Sequence, residues 1–463
     1  MDEQMTSAVF HKIPTICSRC GDNEIKSFGW CQKCETLNFK NKYSNWTSEN
    51  SALNEIIQWS QEHSLHNCDY LEFINYDNLR GKILIRDLEF TKIYKATWSE
   101  GPLLNWDVEN KKWTQNKITV VLKRFKNSET ISGRFLTQIF RNIKCLTSDS
   151  LAEFYGITRH PEGDYMFVMK YYEDGNLYNY LDKNYGIVTW GEIFSILLGV
   201  SEGLGRIHKE GTFHSNLHGG NILIEDDIIS TDAKVTDTGL HGFSNEPYSP
   251  DKIYGVLPFI APEVFKGEPP SKAVDIYSFG IVMAMMATGE KPFWNKAHDV
   301  ELAHHICYDN LRPEITQELM SEMPKFYYNL MISCWDPDPR ARPSAEVLIG
   351  ILKDWICSTN DDQSSLDYSE IDQFNNKEEF GWTSIANSSE NIDQFNNAEE
   401  VRWTSIDKFK SIQKNHDEHY TDINDVGWFF QKSAQEIHAK AIYSGRLIDV
   451  SEYQNYFKKH DDD

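Results

Sequence analysis

Four cysteines near the start of the chain form the most specific pattern of candidate metal ligands in this sequence. Cys17 and Cys20 make one Cys-x-x-Cys pair, and Cys31 and Cys34 make a second pair after ten intervening residues. Four thiolates at this spacing can converge tetrahedrally on one Zn²⁺, which leaves no coordination position for water. The pattern predicts a structural zinc ribbon that serves as a brace or a protein-docking knob. The alternative is four free thiols in a mobile leader.

The elements that follow would position a larger site. Residues 46–66 read as a helix with Leu53, Ile56 and Ile57 on one face, which we expect to pack on the next domain. Short β-rich runs come next and helical stretches follow them, which indicates an α+β unit. The expected parts are a zinc-ribbon leader, a helical linker, one large domain and an acidic tail, with the boundaries 1–45, 46–79, 80–358 and 359–463.

The charge of the chain limits its partners. There are 46 Lys and Arg against 70 Asp and Glu, a net charge of −24. Such a chain repels phosphate backbones and anionic lipid, so we expect no membrane partner and no general affinity for nucleic acid. The first residues lack a signal-peptide pattern, and the longest apolar runs are far short of the roughly 20 residues that span a bilayer. We expect a soluble cytoplasmic protein, and a nuclear location stays open.

The tail contains a repeat. Residues 359–463 hold 22 acidic and 10 basic residues, and within them Ile371–Ile385 returns as Ile392–Ile406 with 12 of 15 positions identical. Two copies are too few for a self-stacking solenoid. Two interpretations stay open: a partly disordered acidic segment with apolar hooks that dock on a partner, or a helical extension that docks elsewhere. Ser433–Tyr443 is the best helix candidate of the tail. The hooks would be Phe374, Trp382, Phe395 and Trp403.

Six short motifs follow one another in a fixed order across the large domain. They are Val120-Val-Leu-Lys123, His214-Ser-Asn-Leu-His-Gly-Gly-Asn221, Asp237-Thr-Gly239, Ala261-Pro-Glu263, Asp275-Ile-Tyr-Ser-Phe-Gly280 and Cys334-Trp-Asp-Pro-Asp-Pro-Arg-Ala-Arg342-Pro. In this order they resemble the eukaryotic protein kinases, and the last is similar to the motif of tyrosine-kinase-like serine/threonine kinases. With its cysteine-rich leader, Asn45-Trp-Thr-Ser and the hairpin at Trp106, the chain further resembles a lineage-expanded group of fungal kinases. The resemblance implies a bilobal fold with a β-rich N-lobe and a helical C-lobe.

The resemblance also assigns roles to retained polar residues. Lys123 matches the lysine that holds the α- and β-phosphates of ATP, and Met169 and Tyr172 lie where the hinge would contact the nucleotide. Asn221 and Asp237 match the residues that ligate Mg²⁺. ATP and Mg²⁺ are therefore the cofactors that the family implies. In the structural alternative, Lys123 pairs with Asp237 to close an empty cleft, and Asn221 braces its loop.

Three positions depart from the family pattern. The glutamate that holds the lysine aligns with Gln138, whose neutral amide gives no ion pair. The catalytic base aligns with Asn216, which can orient a substrate hydroxyl but cannot accept its proton as a carboxylate does. Ser215 replaces the preceding arginine, so the usual partner of a phosphorylated activation loop is missing.

The phosphate-covering loop departs most from the family. Its three glycine positions hold Arg86, Leu88 and Thr91, where backbone amides must approach phosphate without a Cβ in the way. Asp87 and Glu89 add like charge, so we expect this loop to oppose a triphosphate by sterics and by repulsion.

Three functions remain to be weighed. The first is a pseudokinase, a scaffold or allosteric partner in phosphorylation signalling, whose partners would be signalling proteins such as an active kinase. The alternative is an active ATP-dependent serine/threonine protein kinase, for which Lys123, Asn221 and Asp237 argue. A second alternative is a regulator that binds nucleic acid through the zinc ribbon, against which the near-zero charge of the ribbon argues.

Overall fold

The chain folds into two compact units. In the computed structural model, the first unit holds residues up to 147 together with Glu153–Tyr171, and the second holds Ser148–Ala152 and the residues from Tyr172 onward. In the described part of the chain, no helix combines the length and the apolarity that a bilayer crossing needs. The structure describes residues 16–17, 19–21, 25–27, 29–143, 146, 148–184, 186–227, 230–237, 252–359, 389–416 and 437–460.

A six-stranded sheet is the centre of the first unit. Its strands lie in the order β3-β9-β10-β8-β5-β4, and every neighbouring pair except β3 and β9 is antiparallel. The elements of this unit are β1 (Ile25–Ser27), β2 (Trp30–Cys31), α1 (Gln32–Lys40), α2 (Ser51–Glu62), β3 (Glu72–Phe73), β4 (Leu79–Asp87), β5 (Thr91–Trp98), β6 (Leu103–Asp107), β7 (Lys112–Gln115), β8 (Ile118–Phe125), α3 (Gly133–Ile143), β9 (Phe154–Arg159) and β10 (Tyr165–Lys170).

Side chains along β8 alternate between the apolar core of the sheet and the opposite face, which holds Lys123. Val120 and Leu122 are fully buried and pack with Trp98 and Val168 in one apolar cluster. Residues two apart share a face of a strand, so Lys123 and Phe125 point to the opposite side of the sheet. The position of Lys123 is therefore set by the burial of its neighbours.

The N-terminal residues pack on the sheet unit through aromatic side chains. Trp30, which precedes the second cysteine pair, stacks on Tyr70 at 5.6 Å between ring centroids and meets Trp113 of the β6–β7 hairpin at 5.3 Å. Its indole nitrogen donates to the carbonyl of Ser64 at 3.3 Å. Within this unit the cysteine-rich segment shares its aromatic core with a hairpin of the larger fold.

Helix α2 lies where the sequence predicts a helix. Asn50 caps it by accepting the Leu53 amide at 3.0 Å, and Leu53 and Ile57 are fully buried. At its C-terminal end, Trp59 contacts Phe140 of α3 at 4.7 Å between ring centroids. The helix therefore supports α3 within the same unit.

The second unit is mainly helical. Helix α7 has every residue from Val274 to Thr288 buried, as expected for an element apolar on all sides. Sheet-rich first and helix-rich second, the two units confirm the predicted α+β protein-kinase fold class. The elements of this unit are α4 (Leu177–Lys183), α5 (Trp190–Lys209), β11 (Ile222–Asp226), β12 (Thr231–Val235), β13 (Lys252–Gly255), α6 (Pro262–Phe265), α7 (Ala273–Thr288), α8 (Val300–Tyr308), α9 (Gln317–Glu322), α10 (Lys325–Cys334), α11 (Ala345–Thr359), α12 (Ser389–His416), β14 (Arg446–Asp449) and α13 (Val450–His460).

The second copy of the tail repeat is helical and docks on this unit. It lies within α12, where Phe395 is 7% exposed and meets the ring of Phe194 at 5.5 Å. The Glu399 carboxylate accepts the Trp190 amide at 2.6 Å at the start of α5, and burial raises the pKa of this carboxyl. Arg402 donates to the Ala287 carbonyl at 2.5 Å, and burial lowers its pKa to about 10. The helical interpretation is thus confirmed for this copy.

The other tail predictions have different outcomes. Phe374 and Trp382 lie outside the described residues, and Trp403 is 49% exposed, so its role as a hook for a partner stays a prediction. The predicted helix over Ser433–Tyr443 is wrong for its described part, residues 437–443, which is irregular apart from a turn at residues 439–440. The reason is that these backbone groups bond to the rest of the unit: the Lys440 carbonyl accepts the His298 amide at 3.1 Å.

Replacing Phe395 by Ala is expected to destabilise the docked α12 by about 3–5 kcal/mol, because a buried aromatic ring leaves a cavity. Urea unfolding of the full chain, with hydrogen exchange of residues 389–416 as a local readout, measures this change. The matched control is Trp403→Ala on the same helix, which should leave both readouts unchanged because the side chain is half exposed. Equal effects of the two substitutions would contradict the docking seen here.

Candidate functional site

Lys123 lies in the second half of β8, within the first unit. Its backbone pairs with Ile93 of β5 on one side and with Phe167 of β10 on the other. The side chain is 8% exposed, and its ammonium lies 5.6 Å from the ring centre of Phe125. A buried ammonium held between two paired strands is a fixed cationic group that can hold an anion.

Helix α3 carries the position expected to hold this lysine. Gln138 lies within Gly133–Ile143, and its side chain is outside the described part of the structure. Since the residue type is glutamine, this position supplies no carboxylate whatever its rotamer.

The turn between β4 and β5, which replaces the glycine-rich loop, is closed by its own hydrogen bonds. The Leu88 amide donates to the Thr91 carbonyl at 2.8 Å, and the Lys126 ammonium donates to the Leu88 carbonyl at 2.6 Å. The same ammonium lies 2.7 Å from the Asp87 carboxylate, and Lys92 lies 3.5 Å from it. The Leu88 amide is thereby engaged within the turn.

This geometry corrects one argument from the sequence. Asp87 is expected from the sequence to repel phosphate, but the hydrogen bond from Lys126, together with the nearby Lys92, lowers the pKa of its carboxyl and so keeps it ionised, while the two ammonium groups compensate its negative charge. What opposes phosphate at this turn is the presence of side chains and the engaged Leu88 amide.

In the second unit, a buried aspartate organises the loop that carries Asn216. The Asp275 carboxylate accepts the amides of His214 and Ser215, both at 2.7 Å, and contacts the His208 ring at 2.8 Å. Asp275 is fully buried, and three donors satisfy it. Ser215 adopts a left-handed backbone with φ +62°, a conformation that this set of bonds holds in place.

The His214 ring connects that loop to the strand that ends before Asp237. Its Nε2 lies 2.8 Å from the Thr236 carbonyl, and its Nδ1 accepts the Asn216 amide at 3.2 Å. Since the carbonyl only accepts, Nε2 must carry the proton. Asp237 follows with φ +63°, a second left-handed residue in the same region.

Asn216 is the most informative residue of the loop. It is 6% exposed, and among the residues that the structure describes no donor lies within hydrogen-bond distance of its buried Oδ1. A buried acceptor without a donor costs about 1–3 kcal/mol, and an ordered water or a bound group that donates would satisfy this oxygen.

Asn221 lies against the same loop. Its Nδ2 donates to the Asn216 carbonyl at 3.0 Å, and its own carbonyl accepts the Thr236 amide at 2.9 Å. Because the amide nitrogen is used in this way, the side-chain oxygen, which is the atom that ligates cations, points away from that bond. The backbone link to Thr236 also holds the next residue, Asp237, close to Asn221.

A buried ion pair fixes the segment after β13. Arg342 makes two parallel bonds to the Glu263 carboxylate, at 2.6 and 2.8 Å, and donates to the Ala273 carbonyl at 3.0 Å. Both charged residues are about 5% exposed. Their role is structural, since they join α6 to the start of α7.

The four cysteines converge, as their spacing predicts. The Sγ atoms of Cys17 and Cys34 lie 3.9 Å apart and those of Cys20 and Cys31 lie 3.7 Å apart, and all four lie within 4.8 Å of one another. Four sulfurs around one zinc at about 2.3 Å would lie about 3.8 Å apart, so the cluster has the dimensions of a tetrathiolate site.

A sequence profile described as protein tyrosine and serine/threonine kinase matches residues 84–352, which is more than half of the 463 residues. The chain belongs to this kinase family.

Relatives of this kinase chain include both serine/threonine and tyrosine kinases. It is 27% identical over 210 residues to serine/threonine-protein kinase STY17 of Arabidopsis thaliana, and 25% identical over 247 residues to serine/threonine/tyrosine-protein kinase HT1 of the same plant. It is 31% identical over 195 residues to ephrin type-A receptor 5 of Gallus gallus. The matches cover 45%, 52% and 40% of this chain and 35%, 61% and 18% of those proteins.

Sequence reasoning reached most of the kinase motifs but missed two contributors. His208 holds the Asp275 carboxylate from the last turn of α5, and Lys126 closes the β4–β5 turn. Both lie outside the motifs, and a histidine or lysine at a helix or strand end reads as an ordinary surface residue.

Met169 lies at the end of β10, paired with Val121, and Tyr172 begins the second unit, where it is buried.

Proposed function

We propose that this kinase-family chain is a pseudokinase, a signalling scaffold or allosteric partner in which phosphate transfer is lost or severely weakened. The observation that carries the proposal is Asn216 at the position of the catalytic base. Its buried amide can accept a hydrogen bond from a substrate hydroxyl, but it cannot remove the proton. General-base catalysis is typically worth about 10²–10⁴-fold in rate.

The β4–β5 turn supports the same conclusion from the first unit. Phosphate transfer depends on positioning and on neutralisation of the terminal phosphates. The Leu88 amide donates to the Thr91 carbonyl. This turn therefore has fewer free backbone amides to donate to phosphate than a glycine-rich loop has. Gln138 removes the carboxylate that would hold Lys123.

The residues for a metal ion fit better than those for the triphosphate. Asn221 and Asp237 present oxygen atoms, which Mg²⁺ prefers, and a backbone bond from Thr236 to Asn221 keeps them close. The family resemblance assigns Lys123, Met169 and Tyr172 to the nucleotide. When bound, Mg-ATP would supply a transferable phosphoryl group, and this chain's residues would orient it without a carboxylate base.

The alternative is an active ATP-dependent serine/threonine kinase. The observation in its favour is the retained set of Lys123, Asn221 and Asp237, with the orphaned Asn216 Oδ1 as a possible acceptor for a substrate hydroxyl. A function in binding nucleic acid through the ribbon has less support, since Arg19 of the ribbon is held by the buried Glu35 at 2.5 Å.

We further propose that the four cysteines hold a structural zinc ion. The spacing of their sulfurs supports this. Because Trp30 packs against the β6–β7 hairpin, the ion would also stabilise the contact between the cysteine-rich segment and that hairpin. Signalling proteins, an active kinase among them, are the partners we expect for such a scaffold.

Incubation with Mg-ATP is expected to give no phosphate incorporation into the chain or a generic substrate, and millimolar Mg-ATP should raise the melting temperature by less than about 1 °C. Radiolabelled phosphate transfer and differential scanning fluorimetry measure these results. Lys123→Ala should change neither, and the matched control is Lys117→Ala, an exposed lysine of the same unit. Incorporation that Lys123→Ala abolishes and Lys117→Ala preserves would establish the active-kinase alternative.

A further inference from the structure

Two histidines and an aspartate gather at the C-terminal end of α8. One ligand atom from each of His304, His305 and Asp309 lies within 4.8 Å of the other two. In the described part of the chain, the four cysteines are the one other group with this property. Imidazole nitrogens and carboxylate oxygens are ligands that Zn²⁺ and its neighbours among the first-row metals take in proteins. The six kinase motifs contain none of these three residues, and the proposed function does not use them.

The contact between His305 and Asp309 brings two of the three donors together. Nδ1 of the imidazole lies 2.5 Å from the carboxylate, and the two residues are one helical turn apart. Nε2 of the same ring lies 4.0 Å from the carboxylate of Glu301, one turn earlier. The histidine thus lies between two carboxylates on an exposed face of the helix. This face has a net negative charge even when the ring is protonated, because two carboxylates oppose one imidazole.

The end of the helix fixes the backbone that carries the aspartate. The amides of Asp309 and Leu311 both donate to the His305 carbonyl, at 3.1 and 2.9 Å. Between them Asn310 has a left-handed backbone with φ +53°, a conformation that commonly ends a helix. The Asp309 carboxylate therefore lies beside the last carbonyl groups of the helix, which make this end negative. A cation bound here would be favoured both by the carboxylate and by the helix end.

Aromatic contacts orient the third donor. The His304 ring stacks on Tyr308 at 4.9 Å between ring centroids, and it meets Phe457 of α13 at 5.6 Å with the ring planes 63° apart. The ring is therefore held from its own helix and from α13, within one unit of the protein. A metal ion bound by His304 would connect the end of α8 to the packing of α13.

We propose that His304, His305 and Asp309 form a second metal site, which binds one Zn²⁺ or a similar divalent transition-metal ion independently of the four cysteines. The ligand atoms of one such ion, each about 2.0–2.2 Å from it, lie roughly 3.5 Å apart. Adjustments of about 1 Å bring the cluster to this size, and the exposed side chains of His305 and Asp309 have room to make them. Two nitrogens and one oxygen leave the fourth tetrahedral position to water. Ca²⁺ and Mg²⁺ would bind less well, since they prefer oxygen ligands.

The alternative is an ordinary ion pair on the surface of a helix. Such a pair explains the contact between His305 and Asp309, but it does not explain why a nitrogen of His304 belongs to the same cluster. An acidic side chain is also unfavourable at the C-terminal end of a helix, unless a cation compensates it. A metal ion explains the position of all three donors. This inference goes beyond the proposed loss of phosphate transfer and needs neither nucleotide nor catalysis.

Titration of the full-length protein with ZnCl₂ tests the site. After dialysis, which should empty the exposed site but leave the cysteine site filled, calorimetry should show one additional ion, so that the total rises from about one to about two per chain. His305→Ala and Asp309→Asn should each weaken the additional binding at least about tenfold, since the loss of mere outer-shell partners of a metal site already costs about 10–100-fold. Both side chains are exposed, so neither change threatens the fold. The histidine control is His438→Ala, an exposed residue of the same unit that should bind the ion like wild type.

A second pair of variants separates this site from the cysteine site. The double variant Cys17→Ser, Cys20→Ser, which removes two of the four thiolates from the first unit, should still bind the additional ion. Purified wild type that contains no zinc would contradict the cysteine site alone, because the effect of His305→Ala on the ions that are then added reports on the second unit.

Hydrogen exchange gives a local readout of the same site. With ZnCl₂ present, the amides of Asp309 and Leu311 should exchange more slowly in wild type and should not change in His305→Ala, because the metal holds the helix end to which these amides belong. The proposal is overturned if wild type takes up no additional ion, or if His305→Ala and Asp309→Asn bind it as wild type does. An equal loss of affinity in His438→Ala would also overturn it, since it would mean that zinc binds to surface histidines without selectivity.

Discussion

Removal of zinc from the full-length protein is expected to unfold the cysteine-rich segment and to loosen the β6–β7 hairpin with it. Structural zinc sites contribute about 10–16 kcal/mol in small zinc-binding peptides at neutral pH, more than the stability of most domains. Here the metal would hold the segment that places Trp30 between Tyr70 and Trp113. Loss of the metal should therefore be felt beyond the ribbon, in the aromatic cluster that it shares with the hairpin.

The measurement has two parts. Elemental analysis of purified protein should give about one zinc per chain. A chelator should shift tryptophan emission to longer wavelength and abolish hydrogen-exchange protection around Trp30 and Trp113. The double variant Cys17→Ser, Cys20→Ser should behave like chelated protein, and Cys68→Ser, which changes an exposed cysteine of the same unit, should behave like wild type. A chain purified without zinc that keeps this protection would refute the metal site.

Replacing Arg342 by Met is expected to destabilise the second unit by about 3–5 kcal/mol, because it leaves the Glu263 carboxylate buried without its partner. The same change removes the bond to the Ala273 carbonyl, so the junction of α6 and α7 loses its cross-link. Since whole domains are stable by about 5–15 kcal/mol, this loss should leave the unit close to its unfolding threshold.

Equilibrium unfolding in urea at neutral pH measures the change in free energy. The control is Arg340→Met, two residues earlier, whose side chain is 90% exposed and pairs with Asp338 at the surface. This control should show no measurable loss, since exposed pairs contribute little. Similar midpoints for both variants would mean that the buried pair does not carry the junction.

The features predicted correctly from the sequence are those that depend on residues close together in the chain. The two Cys-x-x-Cys pairs predicted the four-residue cluster that the structure shows. The motifs in their order resemble the protein kinases, and that resemblance predicted the fold class. These features depend on residues that lie close together in the sequence, so their periodicity and spacing are visible there.

Contacts between distant segments could not be read in this way. Arg446–Asp449 is a strand because it pairs with β13. Four residues are too few to show an alternation that would predict this strand. Glu399 accepts the amide of Trp190, a partner 209 residues earlier, and nothing in the repeat identifies that helix end. The closure of the β4–β5 turn by Lys126 was missed for the same reason, since 38 residues separate that lysine from Leu88.

The Glu399 contact bears on how the chain matures during synthesis. Ribosomes add about 5–20 residues per second, so the start of α5 would wait roughly 10–40 s before its carboxylate partner, 209 residues later, is translated. During that interval Trp190 and Phe194 would lack the cover that α12 later provides. The helical unit of the nascent chain would thus expose apolar rings until the repeat emerges. Chaperone binding should be strongest during this interval.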